Sequence, residues 1–168
     1  MNSSVNSCMN RKSKRLEQRI KPRKPVPWYL RRSSGRIARI LPHELMNAFA
    51  PIRNVFEQLQ AGEIDAEAGS GQPVVLNANG NLCLLVPALE GWADAWEQIA
   101  GHFGFKVNVS PIRLLADKLG TDQMLSLEEV QAGLAVVDRC QQAAMGLDAY
   151  ELRRVISEAK RTVEQDNG

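Results

Sequence analysis

Ten side chains in the first 32 of 168 residues carry the clearest chemical signal in this chain. Arg11, Lys12, Lys14, Arg15, Arg19, Arg23, Lys24, Arg31 and Arg32 place guanidinium and ammonium groups at short intervals, and Trp28 sets an indole among them. Cations at this density suit a polyanion, because neutralising phosphates releases condensed counterions; five such contacts would give a log–log salt slope of about −4.5. Trp28, with Tyr29 beside it, could stack on unpaired bases. Nucleic acid is therefore the expected ligand of this segment. The competing reading is a solvated arm, or one that meets protein surfaces, with the two aromatics simply packed.

Other reactive residue types do not assemble into a recognisable centre. His43 and His102 are the two histidines, far apart and outside any HExxH or Cys/His cluster, so no metal site is expected. Walker A, GxSxG and Ser-x-x-Lys patterns are absent, and with them the phosphate-cradling and nucleophile motifs they mark. Gly69-Ser-Gly71 precedes a strand-like run, whereas dinucleotide fingerprints follow one. Gly101-His-Phe-Gly104 has the letters of a KH loop without its basic neighbours, and reads as a helix end. Cys83 lies in an apolar run, where a structural thiol is expected. Glu63, Asp65 and Glu67 read as a solvated loop. No catalytic residue, cofactor or small-molecule ligand is implied, and the chain is expected to be a non-catalytic binding protein.

Charge is sharply divided along the chain. Residues 1–40 carry twelve basic residues against Glu17, a net +11, while residues 41–168 carry a net −9. The whole chain is +2, with 44% apolar and 24% charged residues, enough apolar content for a globular core. A basic arm over 1–40 and an acidic globular body over 41–168 follow. Cys8, Cys83 and Cys140 are odd in number and widely spaced, which favours a reducing, cytoplasmic compartment. No apolar run reaches the roughly 20 residues that span a bilayer, and no apolar segment follows the first charges, so neither membrane insertion nor export is expected. Pro22, Pro25 and Pro27 would break the amphipathic helix of a transit peptide.

The elements expected to position these residues are mostly helical. Residues 11–20 form a short helix at most, with only Leu16 and Ile20 to bury, and the prolines of 21–27 favour extended backbone ending at Trp28, Tyr29 and Leu30. Leu45, Phe49, Ile52, Phe56 and Leu59 share one helical face, interrupted by Pro51, so a helix either starts there or runs from about Pro42. Residues 61–72 read as a loop. Val74 to Ala78 and Asn81 to Val86 flank Asn79-Gly80, which predicts a two-residue β-hairpin near 73–86.

The stripe Leu89, Trp92, Ala93, Trp96, Ile99, Ala100 and Phe103 marks the core helix, and residues 106–109 a short extended piece. The tryptophan pair could alternatively form an exposed recognition ridge. Ser110 and Pro111 start a helix that closes at Gly120 with Ile112, Leu115 and Leu119 inward; its join to the next helix has a helix-turn-helix outline that acidic Glu128, Glu129 and Asp138 oppose. Ser126 and Glu129 form a capping box for that next helix, with Leu127, Val130, Leu134 and Val137 on one face. A last helix from about Asp148 carries Leu152, Val155, Ile156, Ala159 and Val163 and should pack antiparallel on its predecessor. The fold class is α+β and predominantly α-helical, with four to five helices, one small hairpin and a disordered basic arm.

Two segments, Arg11-Lys-Ser-Lys-Arg15 through Lys24-Pro-Val26 and Pro87-Ala-Leu-Glu-Gly-Trp-Ala-Asp-Ala-Trp96, resemble small uncharacterised proteins of bacterial prophage and accessory regions. That resemblance implies a bacterial setting and a regulatory or host-interaction role, and brings no functional residues with it. The expected function is nucleic-acid contact by the arm. The alternative is a protein-interaction module, a mobile-element modulator of a host protein or a homodimer, acting through the acidic helical body.

Overall fold

The computed structural model describes residues 39–166, without the side chains of 159–160 and 162–166. The expectations for 1–38, and for the side chains of Ala159 and Val163, lie outside this range. Five helices and three short strands are described: α1 (Pro42–Ala61), β1 (Asp65–Ala66), β2 (Pro73–Leu76), β3 (Leu82–Leu84), α2 (Leu85–Phe103), α3 (Ser110–Gly120), α4 (Leu127–Gly146) and α5 (Ala149–Asp166). The chain is thus predominantly helical with a small antiparallel sheet of order β1-β2-β3.

Helix α1 runs the longer of the two courses open to it, with Pro51 exposed in its interior. An interior proline costs about 3 kcal/mol. Leu45 and Phe49, on the near side of it, are buried and together return about 3–6 kcal/mol, so the helix gains by continuing through. Gly62 ends it at φ 70°, where its N–H and that of Glu63 reach the carbonyl of Gln58.

The sheet departs from expectation in three places. The residue pairs Val74–Leu84, Val75–Cys83 and Leu76–Leu82 define the hairpin, but Asn77 and Asn81 close it around a three-residue turn through an N–H···O bond of 2.8 Å. A two-residue turn needs positive φ at both Asn79 and Gly80, and only Gly80 has it, at 77°. Asn77 sets the turn instead: its Oδ1 accepts from the N–H groups of Asn79 and Asn81 at 3.0 and 2.9 Å, the local side-chain chemistry that makes Asn a turn former. Leu85 and Val86 belong to α2 rather than to the strand. The third strand is Asp65–Ala66, inside the expected loop, while residues 106–109 are irregular.

Helix α2 is the hub. It packs on α3 and α5, α1 and α3 pack on α4, and the sheet rests on α1 and α2. Trp96 is buried and Trp92 half-buried against Phe49 of α1, with ring centroids 5.6–6.5 Å apart, so the tryptophan pair is core and not a ridge. Gly104, at φ 74°, closes the helix as a turn.

Helix α3 is capped one residue earlier than expected: Val109 is the N-cap, and Asn108 Oδ1 accepts from the Ser110 N–H at 3.1 Å. It ends at Gly120 as expected, and the turn that follows has its positive φ at Asp122, 55°. The capping box of α4 is formed as expected, with Glu129 N–H donating to Ser126 Oγ and Ser126 N–H to the Glu129 carboxylate. Val130 and Val137 are buried as expected and Leu134 partly so, but Leu127 is exposed, and Val136, Cys140 and Ala144 extend the buried face. Asp148 caps α5 by accepting from Tyr150 and Glu151 N–H. That helix packs chiefly on α2, not on its predecessor, and leaves Ile156 exposed.

Candidate functional site

Arg11, Lys12, Lys14, Arg15, Arg19, Arg23, Lys24, Trp28, Arg31 and Arg32 all lie outside the described residues, so the site is approached from the body that carries them. That body uses five of its own cations internally. Arg53 donates to Asp138 at 2.7 Å and to Gln141, tying α1 to α4. Arg113 bridges Asp94 and Glu97 of α2 at 2.7 and 2.6 Å, which raises its guanidinium above its ordinary range through those two hydrogen bonds. Lys118 pairs with Glu129, Arg153 reaches Glu44 at 3.4 Å, and Arg154 lies between Glu151 and Glu158 at 2.9 and 3.2 Å.

Two larger clefts open among the described residues. The first, of about 870 Å³, lies between β1 with the β1–β2 loop and the α3–α4 connection. Ile64, Val86, Leu119 and Leu125 give it an apolar lining, with Met124 projecting at 92% exposure. Asp65 and Asp122 stand at the same cleft, and neither forms an ion pair among the described residues. Sequence reasoning missed this cleft because its walls come from two stretches, 61–72 and 121–125, that read separately as loops. The second, of about 790 Å³, is a shallow groove between α3 and α4 holding Arg113, Leu114, Asp117 and Glu128.

Helices α3 and α4 do pack together, but the six residues 121–126 that join them are long for a helix-turn-helix, whose turn has about three to four residues. Moreover, α4 presents Glu128 and Asp138 outward, and carboxylates there repel the phosphates a recognition helix must approach.

The remaining reactive groups are dispersed. His102 Nε2 stands 3.4 Å from a Glu151 carboxylate oxygen, whose carboxyl is held below its ordinary range, first by Arg154 and then by His102. Burial pushes the Cys140 thiol up to about 12, while Cys83 is half-buried. Among the described residues no group of three His, Cys, Asp or Glu is placed to hold a metal ion, and no helix is long and apolar enough to cross a membrane. Glu67 accepts from Ser70 Oγ at 2.5 Å, and Asp65 is the residue of the acidic run that takes part in the sheet. Comparison with known proteins gives no matching family model, no curated relative and no similar solved structure.

Proposed function

We propose that this chain is a non-catalytic binding protein whose residues 1–40 contact nucleic acid while the acidic body makes protein contacts. The observation that carries the reading is the division of charge, +11 over 1–40 against −9 over 41–168. Support comes from the body's ion pairs: Arg53, Arg113, Lys118, Arg153 and Arg154 are matched by carboxylates of the same body, which leaves exposed Lys106 and Arg139 as its cations without a carboxylate partner among the residues whose side chains are described up to Glu158, few beside the cations of the arm. Arg11, Lys12, Lys14, Arg15, Arg19, Arg23, Lys24, Arg31 and Arg32 would hold phosphates, and Trp28 would stack on a base. The bacterial, regulatory setting follows from the resemblance alone.

A gel shift tests it, comparing the full chain with a chain starting at Leu41 on duplex DNA and on single-stranded RNA, at low and moderate salt. The full chain is expected to bind and the shortened one not; absence of binding by both overturns the reading. A second reading, capture of a protein segment in the cleft beside β1, is favoured by the apolar lining and the cation-free Asp65 and Asp122. It predicts that Met124→Asp abolishes protein capture and leaves any nucleic-acid shift unchanged.

A further inference from the structure

The hairpin is uncharged in a molecule that is otherwise dense in charge. Residues 68–89 contain no Asp, Glu, Lys, Arg or His, the longest such run in the chain. Along it Leu76, Leu82 and Leu84 are 48%, 61% and 36% exposed. Alternation puts these three with Val74 on one face of the sheet, and Val75 with Cys83 on the other.

The two ends of the hairpin's hydrogen bonding are treated differently. On the side of β2 beyond the end of β1, Gln58 completes the sheet: its amide donates to the Leu76 carbonyl at 2.6 Å and accepts from the Leu76 N–H at 3.0 Å. Because the backbone groups of Leu76 face Gln58, and Asn77 bonds to Asn81, Leu76–Leu82 is a non-bonded pair of the antiparallel ladder, Val75–Cys83 a bonded one, and Val74–Leu84 non-bonded. The backbone groups of Leu82 and Leu84 therefore point away from β2. Among the described residues no strand pairs with them. Edge strands are ordinarily protected by a lysine, a proline or a bulge; β3 is Leu-Cys-Leu and has only its shortness.

We propose that this edge pairs with β3 of a second copy of the chain, antiparallel about a two-fold axis through Cys83. A two-fold axis sets a patch against an identical copy of itself, so on a body of net −9 a stretch without charge can meet its copy with no like-charge repulsion, and 68–89 meets that condition. Outward groups at Leu82 and Leu84 require Leu82 opposite Leu84 of the other copy as the bonded pairs, leaving the two Cys83 residues opposite one another as the non-bonded pair. Leu84 is also the N-cap of α2, where its carbonyl serves the helix, so the pairing rests on two bonds, each from a Leu84 N–H to a Leu82 carbonyl. The leucines then form one stripe across both sheets. So short an edge is far from the roughly 20–30 residues a side of a standard interface, and the pairing is weak and concentration-dependent.

The register supplies its own reporter. Non-bonded antiparallel pairs bring Cα atoms to about 4.5 Å, within disulfide range. The full chain carrying Cys8→Ser, oxidised by copper–phenanthroline at rising concentration, is expected to give a cross-linked dimer through Cys83, alongside a dimer in sedimentation; the buried Cys140 stays reduced. Leu82→Lys should lower both by about tenfold or more, with Leu84→Lys as the second edge variant if the first loses its circular dichroism, and Leu127→Lys on α4 should change neither. Cys83→Ser should remove the cross-link and keep the sedimenting dimer. A chain monomeric at every concentration, a dimer indifferent to both edge variants, or a dimer whose Cys83 thiols do not cross-link overturns the proposal. None of these readouts involves nucleic acid, so they stand apart from the function proposed for the arm.

Discussion

Gly133 of α4 lies against side chains of α1 and α3. A Cβ placed on it would lie 2.7 Å from Leu115 Cδ1 and 2.8–2.9 Å from the Phe56 ring, and both neighbours are fully buried, so neither can swing away. Gly133→Ala is expected to cost about 1–3 kcal/mol by overpacking, despite alanine's better helix propensity. Gly91 in α2 meets nothing within 4 Å, and there the same change should add about 0.5–1 kcal/mol. Urea denaturation of the two variants should show opposite signs. The capping box offers a second test. Glu129 is held below its ordinary range, first by Lys118 and then by the Ser126 N–H. Its folded pKa is depressed, so its contribution is present above the unfolded value near 4.5 and is lost as pH falls through the lower folded value. Glu129→Gln should flatten that acid limb in thermal melts, and Ser126→Ala should cost about 1 kcal/mol at neutral pH by removing the cap acceptor.

At the scale of elements, the sheet depends on a helix side chain. With both polar groups of the Gln58 amide bonded to Leu76, and Asn54 Nδ2 donating to the same carbonyl at 2.9 Å, Gln58→Ala leaves the Leu76 N–H to water, which is expected to cost about 1 kcal/mol and to speed hydrogen exchange at the Leu76 amide while α1 amides stay protected. Gln58→Glu should keep the Leu76 amide protected, since a carboxylate still accepts from that N–H although it cannot donate to the Leu76 carbonyl. This contact also marks the limit of what the sequence discloses. Helices α2, α3 and α4 were legible because their stripes, caps and closing glycines are local signals, and the stripe of α1 outlasts Pro51 for the energetic reason given above. Gln58 carries no local sign of its role, because the strand it completes is eighteen residues away. β1 is two residues long, below any periodicity, and the turn was misjudged because Asn79-Gly80 outshone Asn77, whose side chain does the bonding. The direction of α5 was also hidden: a short connection limits where a helix can begin, but the buried Leu152 and Val155 chose α2 as their partner.

For the molecule as a whole, the governing quantity is the sign of charge seen by an approaching polyanion. The body repels it with a net −9, though the repulsion is screened over about 8 Å at physiological salt; the first 40 residues attract it with +11. Since attraction rests on counterion release, its strength is set by how many cations meet phosphates at once. If five do, anisotropy titrations of the full chain on a fluorescent duplex should give a log–log slope near −4.5, so that moving from 50 to 200 mM salt weakens binding by roughly 500-fold. Replacing Arg11, Lys12, Lys14, Arg15 and Arg19 with glutamine should reduce both the affinity and the slope. Reversing Asp117 and Glu128 on the body to lysine should leave the slope near its starting value if the arm alone meets the phosphates, whereas two new contacts in the groove they share would steepen it by about 1.8 at most. A slope unmoved by the five glutamines but steepened by the two lysines would transfer the polyanion contact from the arm to the α3–α4 surface. The two variant sets together thus assign the binding charge to one part of the chain or the other by a quantity that does not depend on absolute affinity.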